Sequence, residues 1–306
     1  MALPVSRPAL LEDENIPRGI LLMLITTLFF VMIDVSAKHL SQTLPVAEVV
    51  WARFFFHLLA VLILLGRRTV RFAHTNRPIL QIFRSAMLLS TTYLFFIGVR
   101  QIDLAMASSI MFLSPILITA LSVPLLGEKI GLRRMLGVLA GLMGALIIVR
   151  PGFGDVPLTA LYFVAAACTN ALYQLTTRML RQSDDAYTTL LYTALVGAIL
   201  SSLIAPSDWI TPKPMDCWLM VAMGTCGAFG HFTLIRAFQS APPSALMPFA
   251  YSSLIWATAF GFLVFSNLPD GYTILGALII AGSGFYIFHR EQQAAKAAAQ
   301  QSDKTN

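Results

Sequence analysis

The chain is a succession of apolar segments, each about twenty residues long, separated by short charged or proline-containing breaks. A bilayer core is about 30 Å thick and a helix rises about 1.5 Å per residue, so each segment is long enough to cross a membrane. Because lipid offers no hydrogen-bonding partners, the backbone of a spanning segment must bond within itself, as a helix does. Hydrophobic residues make up 57% of the chain and charged residues 12%. The pattern predicts an all-α integral membrane protein with almost no soluble part.

Ten transmembrane helices are predicted, and we call them spans 1 to 10 in chain order. The polar ends of the chain, residues 1–17 and 290–306, are predicted to be short tails that bury no core of their own. The predicted bounds of the spans are Arg18–Lys38, Val46–Gly66, Pro78–Gly98, Leu104–Gly127, Leu132–Val149, Pro157–Met179, Tyr187–Ala205, Asp216–Phe238, Pro243–Ser266 and Gly271–His289.

The distribution of lysine and arginine predicts the orientation in the membrane. If the N-terminus is cytoplasmic, fifteen of the 21 Lys and Arg residues fall in cytoplasmic segments and four in external loops, while Arg53 and Arg84 lie within spans. Positive residues concentrate on the cytoplasmic side of membrane proteins, so both termini are predicted to be cytoplasmic. The net charge of +6 then describes a basic belt facing anionic lipid, and nothing in it indicates nucleic-acid binding.

A sparse internal repeat relates the two halves of the chain. It predicts two halves of five spans each, residues 18–149 and 157–289, and an odd number of spans inverts the second half relative to the first. Inverted repeats are typical of secondary transporters, which bind their cargo near the midplane between the halves. The matched positions include Asp34 with Gln174, Tyr93 with His231, Ile97 with Ile235, Gln101 with Gln239 and Ala107 with Ala245.

The segment Leu104–Lys129 and the glycine-rich stretch Gly137–Val149 resemble the EamA-type permeases of the drug/metabolite transporter superfamily. The resemblance depends on Pro115 in the middle of span 4 and on the Gly127-Glu128 pair at its end. It is weaker in the second half, where Ser266-Asn267 stands in place of the Gly-Glu pair. It implies a ten-helix carrier with two EamA-like halves and a central cavity lined by spans 1, 3, 4, 6, 8 and 9. Such carriers often export amino acids or other small metabolites.

Two charged residues within the spans can be interpreted in two ways. Asp34 lies one turn inside the outer end of span 1, and Arg53 lies about two turns inside span 2, so the two could reach a similar depth. A structural ion pair would lower the free energy of burying both charges. Alternatively, Asp34 is a protonatable residue that couples transport to protons.

Polar and aromatic residues near the middle of the spans are candidates for lining the cavity. Asn170, Tyr173, Gln174 and Thr177 are three and four residues apart and therefore share one face of span 6. Interhelical hydrogen bonds and packing are the alternative roles for such residues. The predicted substrate-binding residues are Asp34, Tyr93, Ser108, Asn170, Tyr173, Gln174, His231, Tyr251, Ser252 and Trp256.

Two further residues are candidates for moving parts. Pro115 frees a backbone carbonyl within span 4 and is a candidate hinge. Glu128 is a candidate gate on the cytoplasmic side, and a surface cap or salt bridge is its alternative role. Arg84 and Arg236 lie near cytoplasmic ends of their spans, where their long side chains are expected to reach the interface.

The sequence lacks the residue patterns of a membrane enzyme. It has no His-Glu-x-x-His pattern, no Walker-type loop and no cluster of carboxylates suited to metal-dependent chemistry, and its three cysteines lack metal-ligand spacing. We therefore expect no cofactor and no metal. The short tails and loops also offer no output module for a receptor.

The predicted function is secondary transport by alternating access, most simply the export of amino acids or related metabolites with apolar or aromatic side chains. Nucleosides, S-adenosylmethionine-like compounds and cationic drugs are the alternative cargoes. The expected partners are the small-molecule cargo, the lipid bilayer and, if transport is coupled, protons. The protein is expected in a bacterial inner membrane, as a monomer or a homodimer.

Overall fold

The structure is a computed structural model that describes residues 15–99, 110, 111, 113–128, 131–149, 159–204 and 209–265, and residues 271–286 except 273, 277, 281, 284 and 285. Within these residues all regular structure is helical and no strand occurs, which confirms the all-α fold. Residues 271–286 are helical wherever they are described. The remaining helices are α1 (Ile16–Leu40), α2 (Val46–Leu65), α3 (Pro78–Val99), α4 (Leu113–Leu126), α5 (Leu132–Val149), α6 (Ala160–Met179), α7 (Ala186–Leu203), α8 (Pro214–Ser240), α9 (Pro243–Ala250) and α10 (Ser253–Phe265).

Five of these helices are long and apolar enough to cross a membrane, namely α1, α2, α3, α7 and α8. A 3-10 turn at Gly66–Arg68 and a short helix at Thr69–Phe72 extend α2, and another 3-10 turn, Leu180–Gln182, follows α6. Helix α4 is apolar but shorter within the described residues. Large apolar side chains such as Ile63, Leu203 and Trp218 are exposed on the outside of the bundle, where lipid would cover them. The chain is therefore a multi-pass membrane protein.

Span 9 is divided, although the sequence predicted one continuous helix. Helix α9 contains Pro248 and ends at Ala250, and α10 begins at Ser253 after a turn at Tyr251 and Ser252. A proline within a helix removes one backbone donor and crowds the preceding turn. Across the break, hydrogen bonds between residues three apart, such as Ser252 N to Phe249 O (3.1 Å), replace the α-helical bonds between residues four apart. Broken helices are common at transporter binding sites.

The middle of the molecule consists of two long antiparallel helix pairs, α1 with α8 and α3 with α6. Gly19 at the start of α1 lies against Ala241, directly after α8, and further along the pair the rings of Phe30 and His231 are 4.9 Å apart. In the other pair, Gly98 near the end of α3 lies against Phe163 near the start of α6. Each pair joins one helix from each half of the chain.

The packing pattern repeats when helices of one half are exchanged for those of the other. The contact of α1 with α8 corresponds to that of α6 with α3, and the contact of α2 with α8 corresponds to that of α7 with α3. Each central pair also contains one hydrogen bond between threonine hydroxyls, Thr26 with Thr233 (2.8 Å) and Thr91 with Thr169 (2.7 Å). The contacts between the two halves are therefore symmetric with respect to this exchange of helices.

Gly224 allows the backbones of α8 and α2 to touch. A Cβ atom at this position would lie 2.7 Å from the backbone nitrogen of His57 and 2.8 Å from the carbonyl carbon of Phe56. Backbone atoms cannot rotate away as a side chain can, so an added methyl group must separate the two helices. Small residues at helix contacts are a general means of close packing in membranes.

We predict that Gly224→Ala lowers the free energy of unfolding by about 1–3 kcal/mol, as overpacking does in other proteins. Gly227→Ala is the matched control one turn further along α8, because the nearest atom to its Cβ would be 3.6 Å away, at an ordinary contact distance. Thermal denaturation of the two variants in detergent would measure the difference. Equal melting temperatures would contradict the close approach of α8 to α2.

Candidate functional site

A cavity of about 380 Å³ lies between helices from both halves of the chain, namely α1, α2, α3, α6, α8 and α10. The phenylalanines Phe30, Phe95 and Phe96 form part of its wall. The cavity extends from the middle of α6 and α8 to Lys38, an exposed residue near the end of α1. Its polar lining residues are Asp34, Lys38, Arg53, Thr91, Thr92, Asn170, Tyr173, His231 and Ser253.

Asp34 and Arg53 face the same cavity without bonding to each other. Asp34 is half-buried on α1, and among the described residues its carboxylate makes no hydrogen bond or ion pair with another side chain. Arg53 on α2 is only 8% exposed. The two opposite charges therefore act on each other across the cavity, and the direct pair that was one of the two interpretations is not formed in this conformation.

The guanidinium of Arg53 is held by contacts on one side. Its Nη1 donates to the Thr92 hydroxyl at 2.7 Å, and its Nη2 lies 3.5 Å from His231 Nε2, at the limit of a hydrogen bond. The Nε atom is buried and has no partner among the described residues. The guanidinium carbon also lies 5.5 Å from the ring centroid of Phe54 and 5.9 Å from that of Phe96, within cation–π range.

The second buried cation, Arg84, is fully enclosed between α3, α6 and α7. Its Nε donates to the Thr177 hydroxyl (2.6 Å), its Nη1 to the Thr193 hydroxyl and the Thr189 carbonyl (3.4 Å), and its Nη2 to the Tyr173 hydroxyl (3.1 Å). The sequence-based expectation that this side chain reaches the interface is wrong, because Arg84 is 0% exposed. Hydroxyl and carbonyl oxygens of the second half satisfy it inside the bundle.

Tyr173 and His231 connect the two arginines. The Tyr173 hydroxyl lies 2.8 Å from His231 Nδ1, so a continuous polar chain leads from Arg84 through Tyr173 and His231 to Arg53. The ring of His57 stacks on that of His231 at 5.4 Å, and neither of its nitrogens has a partner in the described part of the chain. His57 was not among the residues predicted from the sequence. A usable signal existed, since His57 follows Arg53 by four residues and shares its helix face.

Asn170 and Gln174 continue the polar face of α6 that the sequence predicted. The Asn170 amide donates to the Ser114 hydroxyl on α4 at 2.9 Å and lines the cavity. Gln174 donates to the Asn170 amide oxygen at 3.3 Å but is not part of the cavity wall, and its own Oε1 atom has no partner among the described residues. This face therefore joins α6 to α4 as well as facing the cavity.

The predicted residues of span 9 lie next to the cavity wall and contact other helices. The Ser252 hydroxyl and the Trp256 ring nitrogen bond to the Thr27 hydroxyl on α1, at 2.8 and 3.1 Å. The ring of Tyr251 lies so close to Gly141 of α5 that a Cβ atom there would be 2.3 Å from it. These contacts tie span 9, which belongs to the second half of the chain, to α1 and α5 of the first half.

Two other predicted site residues lie elsewhere. Tyr93 is half-buried and packs against the apolar core rather than lining the cavity. Ser108 lies outside the described residues.

Gly127 and Glu128 connect the end of α4 to the start of α9. Gly127 has a φ of 68°, a left-handed conformation that favours glycine, and its N–H donates to the Val123 carbonyl at 3.0 Å, which ends α4. The next residue, Glu128, accepts a hydrogen bond from the backbone nitrogen of Ser244 at 3.4 Å. A carboxylate at a helix N-terminus is electrostatically favourable. Pro115, the candidate hinge, is buried near the first described residues of α4.

We predict that Tyr173→Phe lowers the stability of the protein, because the lost hydroxyl serves both Arg84 and His231. Leaving buried polar groups without a partner costs about 1–3 kcal/mol. The matched control is Tyr162→Phe, a tyrosine of the same helix whose side chain is 38% exposed. Thermal denaturation of both variants in detergent gives the comparison. A Tyr173 variant as stable as the Tyr162 variant would contradict the bridging role.

A model of the EamA-like transporter family matches the chain twice, over residues 17–150 and 157–288. An S-adenosylmethionine uptake transporter of Rickettsia bellii (strain RML369-C) is 29% identical over 264 residues, which cover 85% of this chain and 90% of that protein. The pseudopaline exporter CntI of Pseudomonas aeruginosa (strain UCBPP-PA14) is 26% identical over 264 residues, 86% of this chain and 93% of the exporter.

A third relative, a riboflavin transporter of Vibrio cholerae, is 32% identical over 180 residues, 58% of this chain and 60% of that protein. One solved crystal structure superimposes with a TM-score of 0.74 at 20% sequence identity, covering 87% of this chain and 94% of that one, so the two share a fold. The two family matches together span nearly all of the helical part of the sequence. This chain belongs to the EamA-like transporter family.

Proposed function

We propose that this transporter is a secondary carrier of a bacterial inner membrane, with ten spans arranged as two inverted five-helix repeats, residues 18–149 and 157–289. The antiparallel packing of α1 against α8 and of α3 against α6 supports the inversion. The excess of Lys and Arg in alternate loops supports cytoplasmic termini, with tails at residues 1–17 and 290–306. Because the sequence has no Walker-type loop, transport uses the gradient of the cargo or of an ion rather than ATP.

The proposed cargo is a small amino-acid-bearing metabolite, and S-adenosylmethionine is the first candidate. One observation carries this proposal: a single cavity presents a carboxylate, Asp34, and a guanidinium, Arg53, that are not bonded to each other. An amino-acid head group has the two complementary charges. The phenylalanine rings of the wall suit an apolar or aromatic remainder, such as a purine. The name of the Rickettsia bellii relative gives independent support for this cargo.

Alternating access requires that one side of the molecule is closed while the cavity opens to the other. The cavity lies in the half where α1 and α3 end, which is the external half if the termini are cytoplasmic. At the opposite end, Gly19 packs against Ala241, and Glu128 bonds to the start of α9. The conformation is thus proposed to be outward-facing, with Glu128 as part of the closed inner gate and Pro115 as the hinge within α4.

We expect proteoliposomes that contain the purified protein to take up labelled S-adenosylmethionine, saturably and faster than protein-free vesicles. Aromatic amino acids, nucleosides and riboflavin complete the panel, measured as initial rates with and without a pH gradient. Uptake of adenosine or riboflavin in place of the amino-acid-bearing compounds would contradict the proposed cargo. These uncharged compounds need neither Asp34 nor Arg53.

The pH-gradient arm tests Asp34 as the coupling residue. In Asp34→Asn, we expect the response to the gradient to disappear, since the amide cannot gain or lose a proton in this range. Binding of the cargo should persist at a lower affinity, because its ammonium loses a counter-charge while its carboxylate keeps Arg53. Acceleration by the gradient that survives in Asp34→Asn would contradict coupling through this residue. Loss of binding as well as of the gradient response would assign Asp34 to cargo recognition instead.

We predict that Glu128→Ala lowers the uptake rate several-fold, because the inner gate loses its hydrogen bond to Ser244. Glu128→Gln keeps an acceptor oxygen and should transport at close to the normal rate. Asp185→Ala is the control, since Asp185 accepts a bond of the same kind from Tyr187 N (2.8 Å) but within one repeat. If Glu128→Ala, expressed at the normal level, transports like the unmodified protein, Glu128 is not part of a gate.

A further inference from the structure

The two buried arginines differ in how completely their donors are satisfied. Arg84 donates to four oxygens of neighbouring residues and is not part of the cavity wall. Arg53 lines the cavity, donates to one hydroxyl and leaves its Nε atom buried and without a partner among the described residues. We propose that Arg53 is the anion-binding residue of the cavity and receives the carboxylate of the cargo. This inference rests on the proposed function, in which the cavity is the cargo site.

The cost of burying a charge supports this difference in role. Removing a guanidinium from water is costly unless partners replace its hydration, and a buried ionisable group in a membrane protein usually has a partner or a function. For Arg84, hydroxyl and carbonyl oxygens of the protein itself replace the water. For Arg53, which is only 8% exposed, the described residues supply no carboxylate within bonding distance. The missing counter-charge is therefore expected from the cargo.

One edge of the guanidinium keeps an unsatisfied donor in this conformation. Nη1 donates to the Thr92 hydroxyl. The edge formed by Nε and Nη2 has only the 3.5 Å contact between Nη2 and His231 Nε2. This edge carries two nearly parallel N–H bonds, which match the two oxygens of a carboxylate in a bidentate pair. An ammonium group would be repelled by this cation, and an uncharged acceptor would gain less from it than an anion does. The expected cargo group is thus a carboxylate.

The residues around Arg53 are positioning residues. His231 is held by the Tyr173 hydroxyl at 2.8 Å and by stacking on His57, so its ring has little freedom to turn away from the guanidinium. Asp34 remains on the α1 side of the same cavity, where it can face the cationic end of a zwitterion. A cargo that places its carboxylate on Arg53 and its ammonium toward Asp34 would neutralise both charges together.

The test compares two small probes of nearly the same shape, 3-phenylpropionate and 3-phenylpropanol, which differ in the carboxylate. Thermal stabilisation of the protein in detergent, measured against probe concentration at neutral pH, gives an apparent affinity for each. We expect the unmodified protein to bind the acid at least about tenfold more tightly than the alcohol, as a charge-assisted pair allows. In Arg53→Gln the two affinities should become equal.

Arg53→Lys is the second variant, because it keeps the charge but loses the planar fork. It should retain a preference for the acid that is smaller than that of the unmodified protein. A purely structural role for Arg53 would lower the affinity for both probes alike and leave their ratio unchanged. The proposal is overturned if the unmodified protein does not distinguish the probes, or if Arg53→Gln still prefers the acid.

The outcome separates this inference from the proposed function. An Arg53-dependent preference for the acid, in a protein that does not transport S-adenosylmethionine or any amino acid, would support the anion site and contradict the amino-acid cargo. Transport of S-adenosylmethionine at the normal rate by Arg53→Gln would support the cargo and overturn the role of Arg53.

Discussion

A guanidinium cannot be solvated by lipid, and the interior of this transporter is organised around two of them. Arg84 is bonded to oxygens of α6 and α7, so the cation of one repeat is satisfied by the other repeat. Its Tyr173 partner leads on to His231 and to Arg53 at the cavity wall. The fold and the site are therefore not separate features, because the contacts that bury one charge also fix the position of the other.

The close approach of the helices makes this arrangement possible. The hydroxyl of threonine lies close to its own backbone, so it reaches across a helix contact only when the two backbones are near. Gly224 allows α8 to touch α2 beside His57, and Gly98 allows α3 to lie against α6. In membranes, packing of this kind replaces much of the hydrophobic effect that assembles helices in water. The polar site is thus a product of small residues that carry no chemistry themselves.

The sequence was sufficient for the helical fold, because span length is dictated by the bilayer. It was sufficient for the family because of the resemblance around Pro115 and the Gly127-Glu128 pair. Of the residues that the sequence singled out, Asp34, Arg53, Asn170, Tyr173 and His231 line the cavity of the structure. The sequence did not predict where Arg84 points, since a residue near a helix end can reach either lipid headgroups or a partner helix. The phenylalanines of the wall could not be separated by pattern from those that face lipid. The break at Tyr251 could not be predicted from Pro248 alone, because a proline disturbs the turn before it, whereas this break follows it.

The threonine bonds between the repeats have a consequence for motion. Each hydroxyl of the Thr26–Thr233 pair also lies within bonding distance of a carbonyl of its own helix, Leu22 O at 2.8 Å and Phe229 O at 3.1 Å. A hydroxyl has one hydrogen, so in the closed contact one of the two threonines donates to the other. When the helices separate, that hydroxyl can rotate and donate to the carbonyl of its own helix, so no donor in the membrane is left without an acceptor. The threonine hydroxyls therefore keep a hydrogen-bond acceptor whether the helices of the two repeats are in contact or apart.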